Sequence, residues 1–351
     1  MAKIATVKGN PFGTHRVIEP KGVLPQPAQK INNDMSTIYD NEILVNVDTL
    51  NVDSASFTQI KKEAGGDVEK IKQIILRTVS ERGKQHNPVT GSGGMFIGTV
   101  AQIGPALKGK TPLKEGDKIA SLVSLSLTPL HIDEIIEVKK DVEQVRIKGQ
   151  AVLFESGIYA KLPSDLPAAL ALAVLDVAGA PAQTAKLVKP GDTVVIIGAA
   201  GKSGVLCSYE ARRRTGVTGK IIGLTSSDSG YKKMQEYGYC DVCLKLDATN
   251  AVDCYEAISK ATDGKLADVV INCVNIPNTE MASILMTRDN GTVYFFTMAT
   301  SFTKAALGAE GVGKDVNMII GNGYTKGHAE VTLNILRESP EIRKIYEKLY
   351  A

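Results

Sequence analysis

Val194-Val195-Ile196-Ile197-Gly198-Ala199-Ala200-Gly201-Lys202-Ser203-Gly204 is the stretch on which the fold turns. Four consecutive β-branched apolar residues read as a strand buried on both faces, and the glycines that follow, spaced G-x-x-G-x-x-G, read as a tight turn opening a helix over 203–214. In that setting Gly198 permits the turn, Gly201 lets backbone approach a pyrophosphate, and Gly204 lets the helix pack against the strand. The N–H groups at the helix start then receive phosphate oxygens. Ala199, Ala200, Lys202 and Ser203 complete the expected cofactor turn.

Working outward, strands and helices alternate. Helix formers fill 168–175, strands are expected over 220–224, 241–246, 268–272 and 292–297, and a helix over 231–237. Two helices, over 329–337 and 340–350, finish the chain. Alternation with apolar strands means a doubly wound parallel sheet in an α/β protein. Before about residue 167 the texture differs: short strands over 42–47, 96–100 and 117–123 are broken by Gly and Pro. One helix interrupts them over 67–82, where Val68, Ile71, Ile75 and Val79 share a face, Asp67 caps the start and Gly83 ends it. The expected division is a β-rich domain over 1–165 and a dinucleotide-binding domain over 166–337, with a helix over about 338–351 free to pack back on the first.

Composition narrows the function. Forty-one Lys+Arg against 38 Asp+Glu leave a net charge of +3, too small and too evenly spread for a nucleic acid or an acidic membrane. The densest basic run, Arg212-Arg213-Arg214, closes a predicted helix, where a solvated cap suits the dipole. No apolar run approaches the ~20 residues of a membrane helix, and the opening MAKIATVKGN has no signal-type core. Five cysteines lack disulfide or zinc spacing, Cys240 and Cys243 being the only close pair, which leads us to expect a reduced, cytoplasmic protein.

The second strand of the dinucleotide unit should end at the adenosine ribose. It ends in Thr225-Ser226-Ser227, with Asp228 a little late and Lys232 and Lys233 nearby, so NAD and NADP both stay open.

Lys114-Glu115-Gly116-Asp117-Lys118-Ile119 and Lys189-Pro190-Gly191-Asp192-Thr193-Val194, the latter leading into the glycine turn, resemble the medium-chain dehydrogenase/reductase superfamily over nearly the whole chain. The resemblance implies a GroES-like catalytic domain, a Rossmann domain, a substrate cleft between them and a dimer. Two segments, 10–27 (Asn10-Pro11-Phe12-Gly13-Thr14-His15-Arg16 onward) and 86–95 (His86-Asn87-Pro88-Val89-Thr90-Gly91-Ser92-Gly93-Gly94-Met95), resemble the L-erythro-3,5-diaminohexanoate dehydrogenase branch of lysine fermentation. That likeness implies oxidative deamination of a small diamino acid with a nicotinamide cofactor. The zinc ligands of the superfamily are missing: Asn51 stands in the early Cys position and Gly93-Gly94-Met95 in the Gly-His-Glu place, so no zinc is expected.

Oxidising an amine requires it neutral, which calls for a base, and the substrate's ammonium and carboxylate groups call for opposite charges. Asp53, two residues past the lost zinc position, and Asp176, interrupting an apolar stretch the fold places under the nicotinamide, are the candidate bases, with a cap or turn as the plainer role for each. Arg16 is the candidate for the substrate carboxylate, Glu310 for the distal ammonium, and Glu155 and His86 are further substrate contacts, with His15 secondary. A zinc-free quinone or enoyl-thioester reductase, or a nucleotide-binding regulatory protein without catalysis, are the competing readings. Strand-like residues 316–320 could pair across a two-fold axis, which leads us to expect a homodimer.

Overall fold

Apolar residues at every second position build the first half. The computed structural model describes residues 1–87, 91, 93–297, 299–321 and 323–350, and the chain falls into two units, Met1–Ser164 and Asp165–Ala351. In the first, β1 (Glu42–Asn51), β2 (Met95–Ile103), β3 (Lys118–Ser121), β4 (Leu130–Lys139), β5 (Gln144–Phe154) and β6 (Tyr159–Lys161) form an antiparallel sheet in the order β6-β3-β2-β1-β5-β4. Val45, Val47 and Leu50 of β1 turn inward to meet Phe96 and Val100 of β2. Two helices cover this core. In α2 (Val68–Arg82), Ile71, Ile75 and Val79 are buried, Asp67 accepts from the Lys70 N–H at 2.9 Å, and Gly83 closes the helix at φ 74°. A Cβ on Gly83 would lie 2.0 Å from the Ile31 carbonyl oxygen, so no other residue ends the helix there.

The sequence reading missed α1 (Ser54–Glu63). Its signals are short but present: Asp53 accepts from the Ser56 N–H at 3.0 Å, and Phe57, Ile60 and Ala64 enter the core at helical spacing.

The second unit is the doubly wound sheet. Its strands are β7 (Thr193–Ile197), β8 (Lys220–Thr225), β9 (Val242–Lys245), β10 (Ala267–Asn272), β11 (Thr287–Phe295) and β12 (Asn317–Ile320), all parallel, in the order β9-β8-β7-β10-β11-β12. The helices are α3 (Ala168–Leu175), α4 (Gly179–Leu187), α5 (Lys202–Thr215), α6 (Asp228–Tyr237), α7 (Ala251–Ala261), α8 (Glu280–Leu285), α9 (Phe302–Gly311), α10 (His328–Glu338) and α11 (Pro340–Tyr350). Alternate residues of β7 serve opposite faces. Val194 and Ile196 pack with Ala180, Cys207 and Ala211, whereas Val195 and Ile197 pack with Cys254, Ile258 and Met286. Strand order reverses between β7 and β10, which opens a crevice at their carboxyl ends.

Three sequence expectations change here. Helix α11 belongs to the second unit: Ile342 and Tyr346, one turn apart, are fully buried there, and the Tyr346 hydroxyl donates to the Lys202 carbonyl. Arg213 and Arg214 are more than a solvated cap, because they hold the fully buried Glu210 at 3.2 and 2.7 Å. Glu310 lies in the last turn of α9, a helix the sequence reading did not anticipate. No single helix among the described residues is long and apolar enough to cross a membrane; α3 and α4 pass such a test only as a pair, are bent by 55° and are largely buried.

Candidate active site

The glycine turn has the geometry a dinucleotide needs. Gly198 sits at φ 82°, and a Cβ there would lie 2.6 Å from Val274 Cγ1; a Cβ on Gly204 would lie 2.0 Å from the Gly198 carbonyl oxygen. Gly201 starts α5 without any side-chain cap, so the helix presents its first N–H groups to an anion. Beside the turn, Ile197, Gly198, Leu224, Thr225, Ala248 and Val274 line a small, mostly apolar slot at the strand ends, where the crevice of such a sheet lies. Ser226 lines the same slot. Ser227 does not reach out: its hydroxyl caps α6 by accepting from the Gly230 N–H at 3.0 Å. Asp228 is engaged too, with Lys245 Nζ 2.6 Å from its carboxylate.

Asp176 is exposed, not buried as the apolar run implied, because it ends α3 while the helix keeps its apolar residues inside. A carboxylate at a helix C-terminus opposes the dipole. Lys202 Nζ, 2.7 Å away, compensates it. An ion pair this open to solvent contributes at most about 1 kcal/mol, so its consequence is positional: it ties the end of α3 to the glycine turn. Lys202 was expected as a cofactor contact; its pairing with Asp176 had no local signal.

In the first unit, Asn51 and the Gly93-Gly94-Met95 stretch, set in the sequence against the superfamily's zinc-ligand places, come together. Asn51 and Met95 are register partners across β1 and β2. Gly94 sits at φ 96°, and its Cβ would lie 2.1 Å from the Asn51 carbonyl oxygen, which leaves no room for a side chain. Asp53, as the α1 cap, follows directly. Among the described residues no group of three His, Cys, Asp or Glu side chains is placed to hold a metal ion. Pro88, Val89, Thr90 and Ser92 of the characteristic 86–95 segment lie outside the described residues.

Comparison with known proteins accounts for this combination. A family model described as the L-erythro-3,5-diaminohexanoate dehydrogenase N-terminal domain matches residues 15–163, and one described as zinc-binding dehydrogenase matches 206–310. A curated L-erythro-3,5-diaminohexanoate dehydrogenase of Acetoanaerobium sticklandii is 64% identical over 344 residues, covering 98% of this chain and 100% of that protein. Another, of Fusobacterium nucleatum, is 62% identical, covering 98% and 99%. The chain belongs to the L-erythro-3,5-diaminohexanoate dehydrogenase family. A solved mycobacterial quinone oxidoreductase shares the fold, with a TM-score of 0.52 at 19% identity over 95% of this chain and 88% of that one.

Membership in this dehydrogenase family implies a nicotinamide cofactor. It does not rescue Arg16 as a substrate ligand. Arg16 is 2% exposed, and its guanidinium donates to Glu42 Oε1 and Oε2 at 2.7 and 2.6 Å and to the carbonyls of Asn32, Asp34 and Thr37. These bonds use all five N–H donors. Burial pushes the Glu42 carboxyl up, but hydrogen bonds from Arg16 and His15 more than reverse this and hold it below its ordinary value. His15 is likewise committed, 2.8 Å from Glu42. Glu155 accepts from Asn41 Nδ2 at 2.9 Å, and Glu310 is exposed. His86 is half-buried with its Nδ1 unpartnered. The Cys240 thiol is pushed up to about 12 by burial, which makes it inert.

Proposed function

We propose that this chain catalyses the NAD- or NADP-dependent oxidative deamination of (3S,5S)-3,5-diaminohexanoate to (5S)-5-amino-3-oxohexanoate and ammonia, in anaerobic lysine degradation. The observation that carries this reading is identity of 64% over nearly the full chain to a protein named for that activity. A nicotinamide dinucleotide held by the glycine turn 198–204 would supply the hydride acceptor for C3. The protein's part is acid–base work: a carboxylate takes the proton of the reacting ammonium, so that the nitrogen lone pair can assist hydride departure, and later steers water onto the iminium carbon. Asp176 and Asp53 are the candidates for it. Asp176 is held by Lys202 beside the glycine turn, and Asp53 has one oxygen on the α1 cap, so each is oriented.

We read the chemistry as metal-free, because Asn51 offers no thiolate and Gly94 no imidazole at the positions set against the superfamily's early Cys and the His of its Gly-His-Glu motif. Either cofactor suits the β8 tip, where hydroxyls stand and Asp228 is neutralised by Lys245. The partners are the small diamino acid and a second copy of the chain, with no nucleic acid or membrane, and the setting is cytoplasmic. The test uses chelator-treated protein with 3,5-diaminohexanoate, NAD and NADP in parallel, followed by nicotinamide absorbance. Turnover should survive chelation. Activity that returns only with added zinc overturns the metal-free reading; silence on the diamino acid with turnover of an enone overturns the substrate.

A further inference from the structure

Helix α5 carries Cys207 three residues beyond Gly204, and Cys273 is the first residue after β10. Their sulfurs lie 3.9 Å apart although 66 residues separate them in the chain. Cys207 is fully buried in the apolar layer between α5 and β7, whereas Cys273 is partly exposed. The backbone around Cys273 is tied to the glycine turn. Its N–H donates to the Ile197 carbonyl at 3.0 Å, and the Val274 N–H donates to Asn272 Oδ1 at 3.2 Å. Val274 packs against Gly198 and lines the slot beside the turn. The two thiols therefore join the helix that opens at the glycine turn to one wall of that slot.

Environment separates the roles of the two thiols. Cys273 is where a small disulfide, RSSR, meets the pair. Its thiolate attacks one sulfur, one RS⁻ leaves, and a mixed disulfide forms. Cys207 then gives up its proton, its sulfur attacks that of Cys273, and the second RS⁻ leaves. The two thiol protons end on the two RS⁻ groups, so two cysteines are oxidised and one RSSR is reduced to two RSH. Burial pushes the Cys207 thiol well above its ordinary value. It is therefore a slow attacker, and a poor leaving group when a reductant attacks Cys273, so a bridge once made resists reduction. A disulfide holds its sulfurs about 2.0 Å apart, so bridging halves the present separation and draws α5 and the exit of β10 together.

We propose that Cys207 and Cys273 form a thiol–disulfide site, oxidised by small disulfides, and that the bridge weakens the hold of the glycine turn on its dinucleotide. The loss of affinity rests on that turn holding the dinucleotide, as in the function proposed above; the bridge itself does not.

Hydroxyethyl disulfide is the probe. After incubation and alkylation of free thiols, wild type should carry two fewer alkylated cysteines and no retained hydroxyethylthio group, and peptide mapping should place the bridge between Cys207 and Cys273. Displacements of ångström size in a site cost on the order of ten- to a hundredfold. The Kd for the reduced dinucleotide, read by its fluorescence, should accordingly rise by at least about tenfold, and dithiothreitol should restore it. Linkage demands the reciprocal effect: saturating dinucleotide should lower the equilibrium constant for bridging by the same factor. Cys207→Ala should stop at a mixed disulfide on Cys273, and Cys273→Ser should hold its Kd through the same treatment. A mixed disulfide that persists on wild-type Cys273, or a bridge mapped to Cys240 and Cys243, overturns the site. A bridge between Cys207 and Cys273 with an unmoved Kd overturns the loss of affinity and leaves the site standing. If reduced wild type binds neither NADH nor NADPH, the glycine turn falls as the dinucleotide's seat, and the peptide map still decides the bridge.

Discussion

Asp176 and Lys202 separate two roles at the level of single side chains. If Asp176 is the base, Asp176→Asn should lower kcat by about 10²- to 10⁴-fold while cofactor Kd holds. A loss confined to cofactor affinity would reduce it to a positioning residue acting through Lys202. Glu42 makes the opposite prediction. Glu42→Gln leaves the Arg16 guanidinium buried without its counter-charge, so urea unfolding should show a loss of about 3–5 kcal/mol, with substrate KM unmoved because Arg16 has no donor to spare. In wild type the Glu42 contribution is full above the ordinary carboxylate pKa and is lost as pH falls through its depressed folded value. His86 adds to the same acid limb. The unfolded chain takes up its proton near 6.5 and the folded one only near 4, so stability falls with pH across that window. His86→Gln should flatten the urea midpoint between those two values. None of these partners was legible locally. Arg16 and Glu42 lie 26 residues apart, and an arginine fork in a sequence does not say whether a ligand or a glutamate fills it.

Elements carry the cofactor site. Gly204→Ala would put a methyl group 2.0 Å from the Gly198 carbonyl oxygen, against backbone that cannot yield. Titration with the reduced cofactor should show that variant folded and unable to bind. Tyr346→Phe removes the hydroxyl that α11 extends to the Lys202 carbonyl, and cofactor KM should rise while the spectrum of the folded protein stays unchanged. The glycine turn was readable because its requirements are local: a turn, a close approach and a helix start within a few residues. Helix α2 was readable for the same reason, through Asp67, Gly83 and an apolar stripe. Helix α1 escaped because ten residues opened by a cap that also suits a turn give a weak periodic signal.

At the scale of the whole molecule, β12 ends the parallel sheet as an open edge with Ile320 exposed. Such an edge invites pairing with a second copy. Light scattering should give a dimer mass for the wild type and a monomer mass for Ile320→Lys; an unchanged mass in the variant would place the dimer contact elsewhere. The sequence by itself determined the division into a β-rich unit and a parallel-sheet unit, the strand–glycine turn–helix over 193–215, and that Asn51 and Gly94 carry no thiolate or imidazole. Each depends on periodicity, on glycine conformation or on the presence of a donor atom, all written into neighbouring residues. Tertiary structure alone decided that Arg16 is walled in by Glu42, that Asp176 meets Lys202, that α11 completes the second unit, and that Cys207 lies against Cys273. Those outcomes depend on which distant side chains packing brings within a few ångströms, and burial then fixes whether a polar group is spent on the protein or left for a ligand.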